Sequence, residues 1–387
     1  RARDLAFVLF TGSGAATRAN SITNGRWALS AFGTASSGAL TPADTVYAVT
    51  PIHHSSALLM TLGGAVASGA RIALAHGYEP ETFWEEVRRY GVTIASYTWT
   101  MLRELVDAPP NPAERHHPLR LLMGSGMPVG LWQRVQHRFA PARVVEFYAS
   151  AEGEAILVNL TGAKAGSIGR PLPGAAEVRI AAWDEVENRL LLARDGFARE
   201  VPRGEAGMLL ARTQPGVRSN RDDALRSVFR RDDAWIPTGD LVRQDDDGDF
   251  WLVDRVDALV DTGDGLVPPS ACRDCLALVD AVDLSVAYGL PVAGRDHEIL
   301  VAAVTPRPGA EVKPAAVTRA LARVDPDRRP DIVIVADEIP VTSWYRPDVR
   351  ALREQGIPAP DGDHVVLSRS GEKYRPLTQA AYRRLAA

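Results

Sequence analysis

The sequence predicts an α/β protein: a doubly wound parallel sheet, then an antiparallel β subdomain, then a smaller C-terminal α+β domain. Three observations carry this. Between Asp4 and Ser150 short apolar runs alternate with amphipathic stretches of helical period, the mark of a parallel sheet covered on both faces. From Gly166 to about Val253 the helical period disappears and alternating runs such as Glu177–Ile180 and Arg189–Leu192 replace it. After Arg255 strand and helix patterns return in a shorter unit. The expected boundaries are 1–256 for a large domain (1–165 α/β, 166–256 β-rich) and 257–387 for the second domain.

In chain order, Leu5–Phe10 reads as a buried strand ending in the small-residue loop Thr11-Gly12-Ser13-Gly14-Ala15-Ala16-Thr17. Further strands are expected at Val46–Val49, Arg71–Ala75, Val92–Tyr97, Leu119–Met123 and Val144–Tyr148. Ser55–Ala67 reads as a buried core helix, and amphipathic helices are expected at Pro80–Tyr90, Thr98–Val106 and Gly130–Phe139. Thr238-Gly239-Asp240 reads as a polar turn. Beyond it, two alternating runs flank Asp245-Asp246-Asp247-Gly248, which predicts a β-hairpin. In the last unit, strands are expected at Leu284–Tyr288, Glu298–Val304 and Asp331–Val335, with helices at Ala271–Asp280 and Pro314–Ala322.

Composition bounds the function. With 387 residues and 46% hydrophobic content the chain can bury more than one core. A net charge of −4 gives no footprint for nucleic acid or for an anionic membrane surface. No apolar run reaches the ~18 residues of a membrane span, no signal peptide is visible, and a cytoplasmic setting is expected. Cys272 and Cys275 are too few for a disulfide framework or a four-cysteine zinc site. Their i, i+3 spacing on a helix fits free thiols, with a redox pair as the other reading. The first residue is Arg1, followed at once by a strand, so the chain reads as part of a longer one. Its basic residues are 41 Arg and three Lys (Lys164, Lys313, Lys373).

The motifs form an ordered series. After the small-residue loop come Pro51-Ile52-His53-His54-Ser55, Gly124-Ser125-Gly126-Met127-Pro128 and Phe147-Tyr148-Ala149-Ser150-Ala151-Glu152-Gly153. Thr238-Gly239-Asp240, Asp254-Arg255 and Tyr374-Arg375-Pro376-Leu377-Thr378 complete it. Each motif alone is weak: taken singly, Asp240 reads as a turn-former, Arg255 as a surface charge and Tyr148 as core, and the two histidines read equally as satisfied by nearby backbone. Their order and spacing together resemble the adenylate-forming (AMP-binding) superfamily over essentially the whole chain. Within it they are most like the branch of fatty acid transport proteins and very-long-chain acyl-CoA synthetases.

That resemblance implies the adenylate-forming fold, with residues 257–387 as a mobile lid turning near Asp257. It implies an ATP-dependent reaction that joins a fatty acid to AMP and then passes the acyl group to coenzyme A, with Mg²⁺ on the phosphates. Thr11, Gly12, Ser13, Gly14 and Arg18 would wrap the phosphates through backbone N–H groups and a cation. Tyr148 would stack on adenine beside Ala149, with Gly124, Ser125 and Gly126 lining the pocket. Glu152 would hold Mg²⁺, Asp240 the ribose hydroxyls, and Arg255 would approach phosphate or ribose. His53, His54, Tyr97 and Trp99 would border the acyl channel, and Arg346 would meet the charge developing on the α-phosphate.

The sequence departs from the family pattern where catalysis is expected. The family loop Ser-Gly-Thr-Thr-Gly-x-Pro-Lys aligns with Thr11 to Arg18, so a glycine has become Ala15 and the lysine Arg18. Ala151 replaces a threonine, Gly263-Asp264-Gly265-Leu266 replaces a Lys-Gly-Glu-Asn run, and Arg346 stands where the adenylation lysine is expected. A guanidinium is bulkier than an ammonium and spreads its charge. Two readings follow: a fatty acyl-CoA ligase in which Arg18 and Arg346 take over from lysines, or an impaired relative that binds an acyl or nucleotide ligand or serves as a structural partner domain.

Overall fold

A computed structural model describes the chain except residues 12–17, 141, 151–154, 185–186, 188, 214–223, 293, 342–346, 361–364 and 387. It divides into two compact units: Arg1–Arg179, Leu210–Thr238 and Gln244–Trp251 form the first, and Ile180–Leu209, Gly239–Arg243 and Leu252–Ala387 the second.

The chain opens with strands β1 (Leu5–Thr11) and β2 (Arg18–Thr23), paired antiparallel, and helix α1 (Asn24–Ser37). This corrects the expectation of a buried strand in the parallel sheet. Leu5, Val8 and Phe10 are 58%, 41% and 63% exposed, because a two-stranded hairpin can bury only one face. The inner face packs Leu9 and Ile22 against Leu59, with Phe7 edge-on to Trp27.

Next come β3 (Thr45–Ala48), a π-helical turn (Ser56–Leu62), α2 (Gly63–Ser68), β4 (Arg71–Leu74), α3 (Pro80–Arg89), β5 (Ile94–Thr98) and α4 (Trp99–Asp107). They lead into β6 (Leu121–Ser125), α5 (Val129–Arg138), β7 (Arg143–Ala149), β8 (Ile156–Asn159) and β9 (Arg170–Pro171). The strands form one sheet of order β4-β3-β5-β6-β7-β8-β9. Pairing is parallel from β4 through β7 and antiparallel to β8 and β9. Alternate residues feed opposite faces. Val46, Ile94, Met123, Val145 and Phe147 pack with Ala65 of α2, whereas Tyr47 meets Phe83 of α3 at 5.8 Å between ring centroids. Helices therefore cover both faces, as a doubly wound sheet requires.

The middle of the chain supplies β10 (Val178–Ala181), β11 (Trp183–Asp184), β12 (Arg189–Leu190), β13 (Ala206–Arg212), β14 (Leu225–Arg226), β15 (Ala234–Gln244) and β16 (Phe250–Arg255). Their main sheet has the order β10-β13-β15-β14, with β16 beside β15. Thr238-Gly239-Asp240 lies inside β15 instead of forming the expected turn. Gly239 adopts φ +78°, open to a residue without Cβ, while buried Trp235 and Ile236 before it and Leu241 and Val242 after it keep the strand going. The expected hairpin closes at Asp245, whose carbonyl accepts from Gly248 at 3.0 Å. The Asp245, Asp247 and Asp249 carboxylates converge on the Lys164 ammonium at 2.8, 2.6 and 3.0 Å.

The second unit holds a hairpin, β17 (Val260–Asp261) and β18 (Leu266–Val267), then α6 (Ser270–Ala277), β19 (Val282–Pro291), β20 (Glu298–Pro306), α7 (Pro314–Leu321), β21 (Ile332–Val335), α8 (Val349–Gln355), β22 (Val365–Ser370), β23 (Lys373–Pro376) and α9 (Gln379–Ala386). Its sheet runs β19 to β23 in sequence order, and β20–α7–β21 is a parallel crossover. Leu300, Ala302 and Val304 of β20 pack against Cys272 and Leu276 of α6 and Val317 and Leu321 of α7. Both cysteines are free, and burial pushes the Cys272 thiol up to about 12, so it behaves as a core residue.

Candidate functional site

Strand order places the candidate site. β4 and β5 lie on opposite sides of β3, so the chain switches direction across the sheet there. In such sheets ligands bind outside the carboxyl ends of the strands near the switch point. At those ends stand His53 and His54 after β3, Trp99 after β5, Ser125 and Gly126 at the end of β6, and Ala149 and Ser150 at the end of β7. The first unit thus brings together residues that are far apart in sequence.

Gly126 takes φ +79°, and a Cβ there would stand 3.6 Å from Trp99 Cδ1, so the turn after β6 lies beside the first residue of α4. Ser125 and Gly126 are exposed, Trp99 is half-buried, and Ala149 is exposed. Thr98 caps α4 by accepting from Met101 N–H. Tyr148 is 9% exposed. His53 is exposed, whereas His54 is half-buried, with Nδ1 2.6 Å from Ser56 Oγ and 3.2 Å from Ser56 N. That local bonding fixes the His54 ring at the start of the π-helical turn.

Tyr97 is 5% exposed and donates its hydroxyl to Glu146 Oε2, so its polar end is turned into the protein. Glu146 was not among the residues expected from sequence. It is 3% exposed on β7, and its Oε1 accepts from Met127 N–H at 3.0 Å. Burial pushes its carboxyl up to about 7 against the opposing pull of these hydrogen bonds, and burial also holds the Tyr97 hydroxyl well above its ordinary value. The signal available in sequence was a lone charge inside the apolar run that follows Arg143, from Val144 to Ala149.

Ser150, part of the motif Phe147 to Gly153, is a second residue to which the sequence reading gave no role. Its N–H donates to the Ala155 carbonyl at 3.0 Å and its Oγ accepts from Ala155 N–H at 3.1 Å, next to the β7–β8 pairing. Glu152 itself lies outside the described residues, as do Gly12, Ser13, Gly14 and Arg346. Thr11 and Arg18 are register partners at the end of the β1–β2 pairing, and the rest of the expected phosphate loop, residues 12–17, lies outside the described residues.

Asp240 and Arg255 belong to the second unit. Asp240 is 9% exposed on β15. Arg255 is exposed and pairs with Asp257 at 2.9 Å, at the end of β16. Gly263 and Gly265 both take positive φ in the β17–β18 turn, where Thr262 N–H donates to the Gly265 carbonyl at 3.1 Å.

Comparisons with known proteins accord with this architecture. The chain is 27% identical to long-chain fatty acid transport protein 2 of Rattus norvegicus, over 88% of this chain and 57% of that protein. It is 29% identical to the medium/long-chain-fatty-acid–CoA ligase FadD6 of Mycobacterium tuberculosis, over 97% of this chain and 64% of that protein. It therefore spans less than two thirds of the length of either relative. Among solved structures, ATP-bound MatB from Rhodopseudomonas palustris superposes with a TM-score of 0.73 at 21% identity, covering 92% of this chain and 69% of that one, so the two share a fold. Residues 1–216 match the family model described as AMP-binding enzyme, and the chain belongs to that family.

Proposed function

We propose that the protein is an ATP-dependent, fatty acyl-activating ligase of the acyl-CoA synthetase type. The observation that supports this is the convergence of Trp99, Ser125, Gly126 and Ala149 at the carboxyl ends of β5, β6 and β7, beside the switch point. In the first step a carboxylate oxygen attacks the α-phosphorus of ATP and the bond to pyrophosphate breaks. In the second, the thiol of coenzyme A attacks the acyl carbon and AMP leaves.

In this reading Tyr148 and Ala149 take the adenine face, with Gly124, Ser125 and Gly126 opposite, and Asp240 accepts from the ribose hydroxyls. Arg255 approaches phosphate or ribose, Thr11 to Arg18 wrap the phosphates, and Arg346 meets the charge that grows on the α-phosphate. His53, His54, Tyr97 and Trp99 border the acyl channel. A single carboxylate suits Mg²⁺, which takes its remaining oxygens from phosphate and water. Glu152 is the residue we assign to that role; on either side of it, Ser150 and Ala155 are hydrogen-bonded to each other next to β7. The ion supplies neutralising charge to the phosphate oxygens.

Residues 257–387 act as the lid, turning near Asp257, and the chain works as part of a longer protein. No helix among the described residues is long and apolar enough to cross a membrane. We place the reaction in the cytoplasm.

Mass spectrometry after incubation with ATP, Mg²⁺, coenzyme A and a panel of fatty acids tests the reading. Acyl-adenylate or acyl-CoA above the level of a Glu152→Ala control is the expected result. Absence of both, from folded protein, would replace it with a binding or structural homologue.

A further inference from the structure

Glu146 is a buried carboxylate on the floor of the candidate site, and no step proposed above uses it. It joins three elements. Tyr97 of β5 donates its hydroxyl to Oε2, and Met127, in the turn after β6, donates its N–H to Oε1 at 3.0 Å. Glu146 itself sits on β7 two residues before Tyr148, so both project from the same face of that strand. Gly124 is pressed against Tyr97, where a Cβ would come within 2.7 Å of the ring. The carboxylate therefore fixes the turn Ser125–Met127 relative to both neighbouring strands.

We propose that Glu146 is a positioning residue that holds this turn at the height at which an adenine base fits between it and Tyr148. The inference rests on the nucleotide reading given above. Both partners of Glu146 are donors, so the ionised carboxylate satisfies them at once. Met127 N–H can only donate, whereas the Tyr97 hydroxyl can also accept, so a protonated carboxyl or the amide of a glutamine keeps both contacts only with the Tyr97 hydroxyl turned away and without the charge that strengthens them. Tyr97 is the titratable group that faces Glu146. Gly126 and Met127 present backbone N–H groups, and the register partner on β8 is the neutral Asn159.

The test is the affinity for adenosine, a ligand without phosphate and with no group that titrates near neutrality, measured by calorimetry between pH 6 and pH 8. In the unsubstituted chain affinity is expected to fall about tenfold from pH 8 to pH 6, following the ionised fraction of a carboxyl with a value of about 7. Glu146→Gln is expected to bind about tenfold more weakly at pH 8, with a flat profile, through the loss of one charged hydrogen bond. Tyr97→Phe, which removes one oxygen and leaves the Met127 bond in place, is expected to show a smaller loss. It keeps the test decisive if Glu146→Gln does not fold. A purely structural brace would lower the thermal midpoint of the variants while leaving affinity and its pH profile unchanged, and that result overturns the proposal with the ligase reading intact. No adenosine or AMP binding by the unsubstituted chain overturns both.

Discussion

A Cβ on Gly124 would stand 2.5 Å from the carbonyl oxygen of Tyr97 and 2.7 Å from its ring, so β5 and β6 meet at the candidate site through a contact that only glycine permits. Backbone cannot yield as the end of a flexible side chain can. Gly124→Ala is expected to cost roughly 1–3 kcal/mol of stability, the usual range for overpacking. It should also weaken AMP binding, because Ser125 and Gly126 follow directly. Urea unfolding with AMP titration checks both, and an unchanged midpoint would mean that the two strands separate freely.

Asp44 organises the opposite end of the same sheet. It is 5% exposed and accepts from Thr41 N–H, from the Thr93 hydroxyl and from Arg120 Nε and Nη2. Burial raises its carboxyl, yet these bonds outweigh it and hold the group well below the usual carboxylate range. A depressed folded value means that the contribution is fully present above the unfolded value near 3.8 and is lost as pH falls through the folded value. Asp44→Asn should cost about 2 kcal/mol at pH 7, discounted for the partial exposure of Arg120. The gap between the two proteins should narrow below about pH 4 in acid unfolding curves. A gap that is constant down to pH 2 would contradict the assignment.

Lys164 faces three aspartates of one hairpin. Burial raises the Asp245 carboxyl, but the bonds from Lys164, Trp251 and Asp249 N–H together outweigh it and lower the group on balance. Lys164 is raised by the same aspartates. Stability from Asp245 is thus kept above its unfolded value and lost in acid, and stability from Lys164 is kept below its unfolded value and lost in strong base. Lys164→Met should lower the thermal midpoint most at low salt and near neutral pH, where three carboxylates would repel one another. Insensitivity to salt would show that the cluster is idle.

These contacts mark the border of what could be read in the sequence. The strand–helix alternation from Val46 to Tyr148 was legible because each run is apolar on a strand period or amphipathic on a helical one. Helix α1 was not. It buries Ala31, Thr34 and Ser37, and the glycines facing it, Gly63 and Gly64, leave room only for small side chains, so it shows no apolar stripe. Thr238-Gly239-Asp240 looked like a turn because polar residues and glycine usually make one, but buried neighbours on both sides carried β15 through it. Of the candidate site, the residues that stand at strand ends were singled out by the order of their motifs. Glu146 drew no notice because its contacts exist only when β5, β6 and β7 are side by side, and Ser150 was given no role because its bonds to Ala155 exist only once β7 and β8 pair.

The remaining prediction concerns Arg346, the residue proposed above to meet the charge on the α-phosphate. A lysine presents a compact charge on a flexible stem, whereas arginine presents a planar fork that favours two-pronged contacts. If charge at the α-phosphate limits the first step, a compact cation able to follow the moving oxygen should serve it better. Arg346→Lys is therefore expected to raise the rate of acyl-adenylate formation about tenfold, equivalent to about 1.4 kcal/mol in the barrier. The rate of thioester formation from added acyl-adenylate should stay unchanged, since that step breaks no bond to pyrophosphate. Pyrophosphate release and thioester yield, followed separately in single turnovers, distinguish the two steps. An adenylation rate identical to that of the unsubstituted chain would remove Arg346 from the reaction and leave Arg18 as the cation to test next.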